Sequence, residues 1–274
     1  MRDNGMEFHH CMTNLSVNLN RVALLRNSRN IGIPSVVKAA RLVLDAGAYG
    51  ITVHPRPDQR HIRPSDVDDL SELLRQHYPQ AEYNIEGNPL EPPFMDIVCR
   101  VKPNQCTLVP DSPNQATSDH GWDLKQDSVD GASPIENRLI PIIQQLKDNG
   151  IRVSLFMDAD PTSMAKAKRL GADRVELYTE PYASAYRDGQ TDVVLPRYIN
   201  AAKAALDVGL GINAGHDLNL ENLGKFCECV PNVLEVSIGH ALMAEALEMG
   251  LSNTVKAYLD ILFHCCGNST RTWG

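Results

Sequence analysis

The segment 50–62, GITVHPRPDQRHI, sets His54, Arg56, Arg60 and His61 just past a short β-branched run. Imidazole exchanges a proton near neutral pH, and guanidinium grips a phosphate or carboxylate through a planar fork of donors. Acid–base chemistry on a small anion is the class this combination suggests. Similar residues end other apolar runs: Asn18 in LSVNL, Glu86 in YNIEG, Glu176 in RVELYTE, His216 in GINAGH and His240 in EVSIGH. A lone histidine is most often a packed structural residue. Three histidines and two glutamates at equivalent places argue for a shared site.

Apolar runs suited to strands fall at 15–19, 50–55, 83–87, 105–110, 152–158, 174–180, 211–216 and 235–240. Between them, stretches with apolar residues near the 3.6 period predict helices, among them 35–46, 64–77, 134–149, 161–170 and 197–208. Several open on Pro or Ser and close on Gly, the punctuation of helices that feed strands. Eight such units in series predict an α/β chain folded as a single-domain (β/α)8 TIM barrel over 15–264. Residues 1–14 are expected to be a flexible extension and 265–274 a flexible tail. In a barrel the C-terminal strand ends share one mouth, here Asn18, His54, Glu86, Pro110, Asp158, Glu176 or Glu180, His216 and His240. The long polar loop 111–130 follows the fourth strand and is expected to overhang that mouth as a lid.

Other classes are disfavoured. A formal charge of −8 without a basic run gives no footprint for nucleic acid. The N-terminus lacks a signal-peptide core and no segment approaches a membrane span, so the chain reads as cytoplasmic. The 7 cysteines, with Cys227-x-Cys229 and adjacent Cys265-Cys266, form neither a zinc motif nor a disulfide framework and read as reduced, mostly buried thiols. No lysine falls at the mouth, which disfavours a Schiff base to the protein. No histidine pair has metal-site spacing, and no metal or cofactor is expected. Gly215-His216 and Gly239-His240 follow the last two strands, where barrels commonly hold phosphate, and the second pair leads directly into a helix N-terminus. Proton transfer by His and Glu on a phosphorylated small molecule is the reading that remains.

The segments VNLNRVALLRNSR, GITVHPRPDQRHI, NIEG, VSLFMDAD, GADRVELYTEPYA, INAGHDL and EVSIGHALM together resemble the signature segments of the pyridoxine 5'-phosphate synthase family, from about residue 15 to 262. The resemblance implies a transferase-class ring closure between 3-amino-2-oxopropyl phosphate and 1-deoxy-D-xylulose 5-phosphate, without a cofactor, in a homo-octamer. It implies His54 as general base, Glu86 as a second proton acceptor, His216 as proton donor and Glu176 as transition-state support. Asn18, Arg29, Asp217, Gly239 and His240 match positions that hold the aminoketone phosphate, with Arg29 able to reach a neighbour's site. Arg56, His61 and Thr117 match contacts to the deoxyxylulose phosphate. Asn20-Arg21 stands where many members carry Asp-His at that phosphate, and Asp217 stands where glycine is usual. The rival readings are a barrel isomerase or epimerase with one phosphorylated substrate, and a catalytically silent barrel kept for binding or assembly.

Overall fold

Each apolar run forms a strand because alternate residues, such as Ile51 and Val53 or Val175 and Leu177, are buried on one face while their neighbours turn to the other. The structure, a computed structural model, describes residues 13–29, 31–113, 115–124 and 133–267. The strands are β1 (Asn14–Asn18), β2 (Gly50–Val53), β3 (Glu82–Gly87), β4 (Gln105–Leu108), β5 (Arg152–Met157), β6 (Arg174–Tyr178), β7 (Gly211–Gly215) and β8 (Val233–Ile238). They pair in parallel in chain order, and β8 closes on β1 with Val236 opposite Leu15. The helices are α1 (Asn20–Asn27), α2 (Val36–Asp45), α3 (Pro64–His77), α4 (Phe94–Val101), α5 (Pro134–Asp148), α6 (Met164–Arg169), α7 (Glu180–Arg187), α8 (Thr191–Asp207), α9 (Leu223–Cys229), α10 (His240–Met249) and α11 (Leu251–Gly267). This is the expected (β/α)8 barrel.

Local chemistry sets the helix starts. Ser133 Oγ accepts from the Glu136 amide while the Glu136 carboxylate accepts from the Ser133 amide, a reciprocal cap before Pro134. Helix α8 departs from the expected 197–208: it starts at Thr191 and contains Pro196, because buried Thr191 and Leu195 anchor the turn ahead of the proline. Asn14 already belongs to β1, and α11 continues through Cys265 and Cys266 to Gly267, so regular structure extends past both expected domain limits. Residues 1–12, most of the expected extension, and 268–274 of the expected tail lie outside the described residues, as do 114 and 125–132 of the loop after β4. Among the described cysteines, Cys106 is buried and Cys99, Cys227, Cys229 and Cys265 are half-buried, so the thiols are less enclosed than expected. No helix among the described residues is long and apolar enough to cross a membrane.

The apolar core lies between strands and helices, whereas the inside of the barrel is polar. On β3, Tyr83 reaches out to donate to the Val67 carbonyl of α3, while Asn84 turns inward. Ser16, Thr52, Asn84 and Thr107 are buried there in a hydrogen-bonded row. Ser16 meets Thr52 at 2.7 Å, Asn84 Nδ2 donates to Thr52 at 3.2 Å, and Thr107 Oγ1 donates to Asn84 Oδ1 at 3.1 Å. Thr107 Oγ1 also lies 3.5 Å from Glu176 Oε2, so the row ends beneath the mouth. At the opposite end of the barrel Arg152 pairs with Glu82, and Arg174 pairs with Glu235 at 3.1 Å.

Candidate active site

The C-terminal strand ends and the loops beyond them enclose a cleft of about 280 Å3. Asn18, Asn20, Arg21, His54, Arg56, His61, Glu86, Thr117, Glu176, His216, Asp217, Gly239 and His240 all line it, as does Arg60. Arg29 does not: it is exposed just beyond α1. Pro110, Asp158 and Glu180, also expected at the mouth, do not line the cleft either; Glu180 begins α7, and Asp158 accepts from the Gly121 amide at 3.2 Å beside the loop root. His240 is the first residue of α10 rather than a strand end, because the chain turns at Gly239.

Two carboxyls form the floor. Glu86, from β3, accepts from Asn18 Nδ2 at 3.3 Å, and Glu176, from β6, lies against the backbone of β7. Burial, with the negative charges of Asp111 and Glu235, pushes the Glu86 carboxyl up to about 8. Burial and Glu86 itself push Glu176 well above the usual carboxylate range. The floor therefore tends to hold protons at neutral pH.

The wall after β2 has the opposite balance. His54 is buried, its backbone amide donates to Asn20 Oδ1 at 2.9 Å, and its ring centroid lies 6.0 Å from that of His61. Burial and the neighbouring charge of Arg56 hold His54 well below the usual imidazole range. The same causes lower His61 to about 4, and its Nδ1 accepts from the Ile62 amide at 2.9 Å. Both rings are thus neutral at pH 7, the state in which imidazole can take a proton.

The two arginines of this wall hold the loop after β4. Arg56 pairs with buried Asp111 and donates to the Gln115 carbonyl at 2.8 Å. Arg60 donates to the carbonyls of Gln115 at 2.9 Å and Ala116 at 3.2 Å. Ser118 Oγ donates to Asp111 at 2.8 Å. The loop therefore crosses the mouth tied to one wall, and Thr117 reaches the other, 3.1 Å from His216 Nε2. Spacing alone did not reveal Asp111 or Ser118 as the anchors, nor Phe156 and Ser237 as lining residues.

The wall after β7 and β8 is built on unusual backbone. His216 (φ 91°) and Asp217 (φ 61°) both adopt left-handed conformations that side-chain-bearing residues rarely take. Thr179 Oγ1 donates to the carbonyls of Gly215 at 2.7 Å and His216 at 2.6 Å, which pins the turn. At Gly239 an added Cβ would come within 3.1 Å of Asn18 Cβ, so glycine lets β8 approach β1 where α10 begins. The first amides of α10 carry the partial positive charge that attracts anions at a helix N-terminus.

The raised carboxyl has a measurable effect on stability. Glu86 gives up its proton near 4.5 when unfolded and about 8 when folded, so its contribution is fully present below pH 4.5 and lost as pH rises through 8. Glu86→Gln is expected to flatten the decline in unfolding free energy between about pH 5 and 9 by roughly 2 kcal/mol, allowing for the carboxyl's partial exposure. Urea titrations at stepped pH check this; parallel slopes for the two proteins would contradict it.

Comparison with known proteins shows the family. The profile of the family described as "Pyridoxal phosphate biosynthesis protein PdxJ" matches residues 15–264. A pyridoxine 5'-phosphate synthase of Albidiferax ferrireducens is 58% identical over 252 residues, covering 90% of this chain and 96% of the relative. One of Xanthomonas axonopodis pv. citri is 56% identical over 256 residues, covering 91% and 96%. Among solved structures, tryptophan synthase from M. tuberculosis in an aminoacrylate-bound form superposes with a TM-score of 0.58 at 11% identity, covering 92% of this chain and 94% of the other, a likeness of fold alone.

Proposed function

The chain is an enzyme belonging to the PdxJ family of pyridoxal phosphate biosynthesis proteins, and on that premise we propose that it condenses 3-amino-2-oxopropyl phosphate with 1-deoxy-D-xylulose 5-phosphate to form pyridoxine 5'-phosphate, phosphate and water. The observation that carries this reading is one cleft in which neutral His54, proton-holding Glu86 and Glu176, and His216 stand between two cationic or amide-rich ends.

The amine of one substrate attacks the ketone of the other and a first water leaves as the imine forms, so the imine needs no protein lysine, and none lines the cleft. His54, uncharged beside Arg56, takes the proton that starts enolisation. Glu86 becomes an acceptor once the cationic imine lowers its proton affinity, reversing the effect of burial. Loss of phosphate leaves an enol that closes on the remaining carbonyl. His216 protonates departing oxygen as water leaves, and Glu176 supports the charge that develops above the floor. Asn18, Gly239, His240 and the Asp217 backbone hold the aminoketone phosphate. Arg21, Asn20, His61, Arg56 and Thr117 serve the deoxyxylulose phosphate. The loop over the mouth excludes water that would hydrolyse the imine.

The test mixes protein with both substrates and follows phosphate release together with pyridoxine phosphate fluorescence. Equal rises that require both substrates support the synthase. A product formed from one substrate alone would point to an isomerase or epimerase instead.

We also propose a cytoplasmic homo-octamer. Leu25, Ile31 and Ile33 are 56%, 54% and 64% exposed around α1, close in sequence to exposed Arg29, and offer an apolar surface that a neighbouring copy would cover. Sedimentation at micromolar concentration is expected to give the octamer; a fully active monomer would refute it.

A further inference from the structure

We propose that Asp217 is a positioning residue for His216, fixing the proton on Nδ1 and presenting Nε2 to the cleft. The inference rests on the acid role given to His216 above and adds to it a second residue acting through the ring.

The geometry has three parts. Asp217 Oδ2 lies 3.1 Å from His216 Nδ1, and Thr117 Oγ1 lies 3.1 Å from Nε2. A carboxylate only accepts, so the first contact places a proton on Nδ1. Nε2 is then free to accept from the Thr117 hydroxyl when the ring is neutral, or to donate when it is charged. The edge-on ring of Tyr178, with centroids 5.1 Å apart, limits rotation of the imidazole away from this line.

The backbone supplies the second argument. At φ 61° glycine would sit without strain, yet the chain places an aspartate there. Carbonyl contacts pin the turn independently of its side chain: Thr179 Oγ1 reaches the carbonyls of residues 215 and 216, and Asn222 Nδ2 donates to the Asp217 carbonyl at 3.2 Å. The turn therefore does not need the carboxylate for its shape. Nor does a bound phosphate, which would repel that charge; the backbone amide is the part of Asp217 suited to an anion. The partner left for the carboxylate is His216, whose ring holds its proton affinity below the usual carboxylate range.

Other titratable and charged groups act on the two partners of this ring. Arg187 on α7 and His240 on α10 act on Asp217, and Glu180 on α7, Asp119 on the loop over the mouth and Asp158 after β5 act on Tyr178 beside the ring. Asp217 is the acidic group among them in hydrogen-bond contact with the imidazole.

Two variants separate orientation from charge. Asp217→Asn keeps an acceptor oxygen but removes the charge; Asp217→Gly removes both and suits the left-handed backbone. Histidine ring 15N shifts, recorded without substrate, are expected to show the Nδ1–H tautomer in the wild type and in D217N, and the Nε2–H tautomer in D217G. Turnover should fall at least tenfold in D217G, with little change in KM and with a Tm at or above that of the wild type. An unchanged tautomer in D217G would overturn the proposal, as would wild-type turnover in a D217G protein whose tautomer has switched. If the wild type does not convert the substrate pair, the synthase reading falls, while the 15N shifts still decide whether Asp217 sets the tautomer of His216.

Discussion

Exchanging His54 for asparagine is expected to lower kcat by at least about 100-fold while leaving the barrel folded. The position favours a base. His54 is 6% exposed, and three cationic or titratable neighbours, Arg56, His61 and Arg60, all disfavour its charged form. It thus enters the reaction empty of a second proton. Asparagine keeps a compact polar side chain in the same place but cannot accept a proton. The fold contact at this position runs from the His54 backbone amide to Asn20 Oδ1, which the substitution leaves in place. Steady-state kinetics with circular dichroism on the same sample decide the matter. Near-normal turnover in a folded H54N protein would remove His54 from the mechanism.

Gly215→Ala is expected to be the most damaging single-methyl change at the site. An added Cβ would lie 2.4 Å from Glu176 Oε1 and 3.1 Å from the Ser237 carbonyl, distances at which something must move. The carboxyl is the softer of the two, but it is boxed in by Thr107 and by burial, so it moves away from the floor of the cleft. Overpacking of this kind costs about 1–3 kcal/mol, and displacement of a reacting group by about 1 Å can cost on the order of 100-fold in rate. We therefore expect kcat to fall by roughly 10- to 100-fold and Tm by roughly 3–10 °C. A lowered Tm with wild-type kcat would mean that Glu176 need not sit where it does.

Much of the site could be read from the sequence because parallel closure is a strong geometric rule. Once eight strands run the same way, residues at their C-terminal ends must share a mouth, and His54, Glu86, Glu176 and His216 meet there from four different strands. What the rule leaves out is the path of the connections. Arg56 and Asp111 are 55 positions apart, and their pairing depends on how the loop after β4 folds back across the mouth. The resemblance matches Arg56 to a contact with the deoxyxylulose phosphate; the structure adds that the same guanidinium lines the cleft while it ties down the loop through Asp111 and the Gln115 carbonyl. The polar row inside the barrel was hidden for another reason. Ser16, Thr52 and Thr107 fit a strand as readily facing in as out, and only the register reveals that they share the interior. The short α1, α4, α7 and α9, of 8, 8, 8 and 7 residues, offer too few turns for a clear periodic signal. Pro196 pointed to a boundary that packing of the preceding turn overrides.

That inner row also limits how the enzyme can be improved. A designer seeking heat resistance commonly refits a core with larger aliphatic groups. Here the space inside the strands is taken by hydroxyls and amides that satisfy one another and end at Glu176. An aliphatic residue placed at Thr107 would remove the hydroxyl that donates to Asn84 Oδ1 and lies 3.5 Å from Glu176 Oε2, so a gain in packing would be felt at the reactive floor. Gains in robustness are therefore better sought in the outer layer between strands and helices, where Leu70, Ile143 and Ala201 pack without touching the reactive floor.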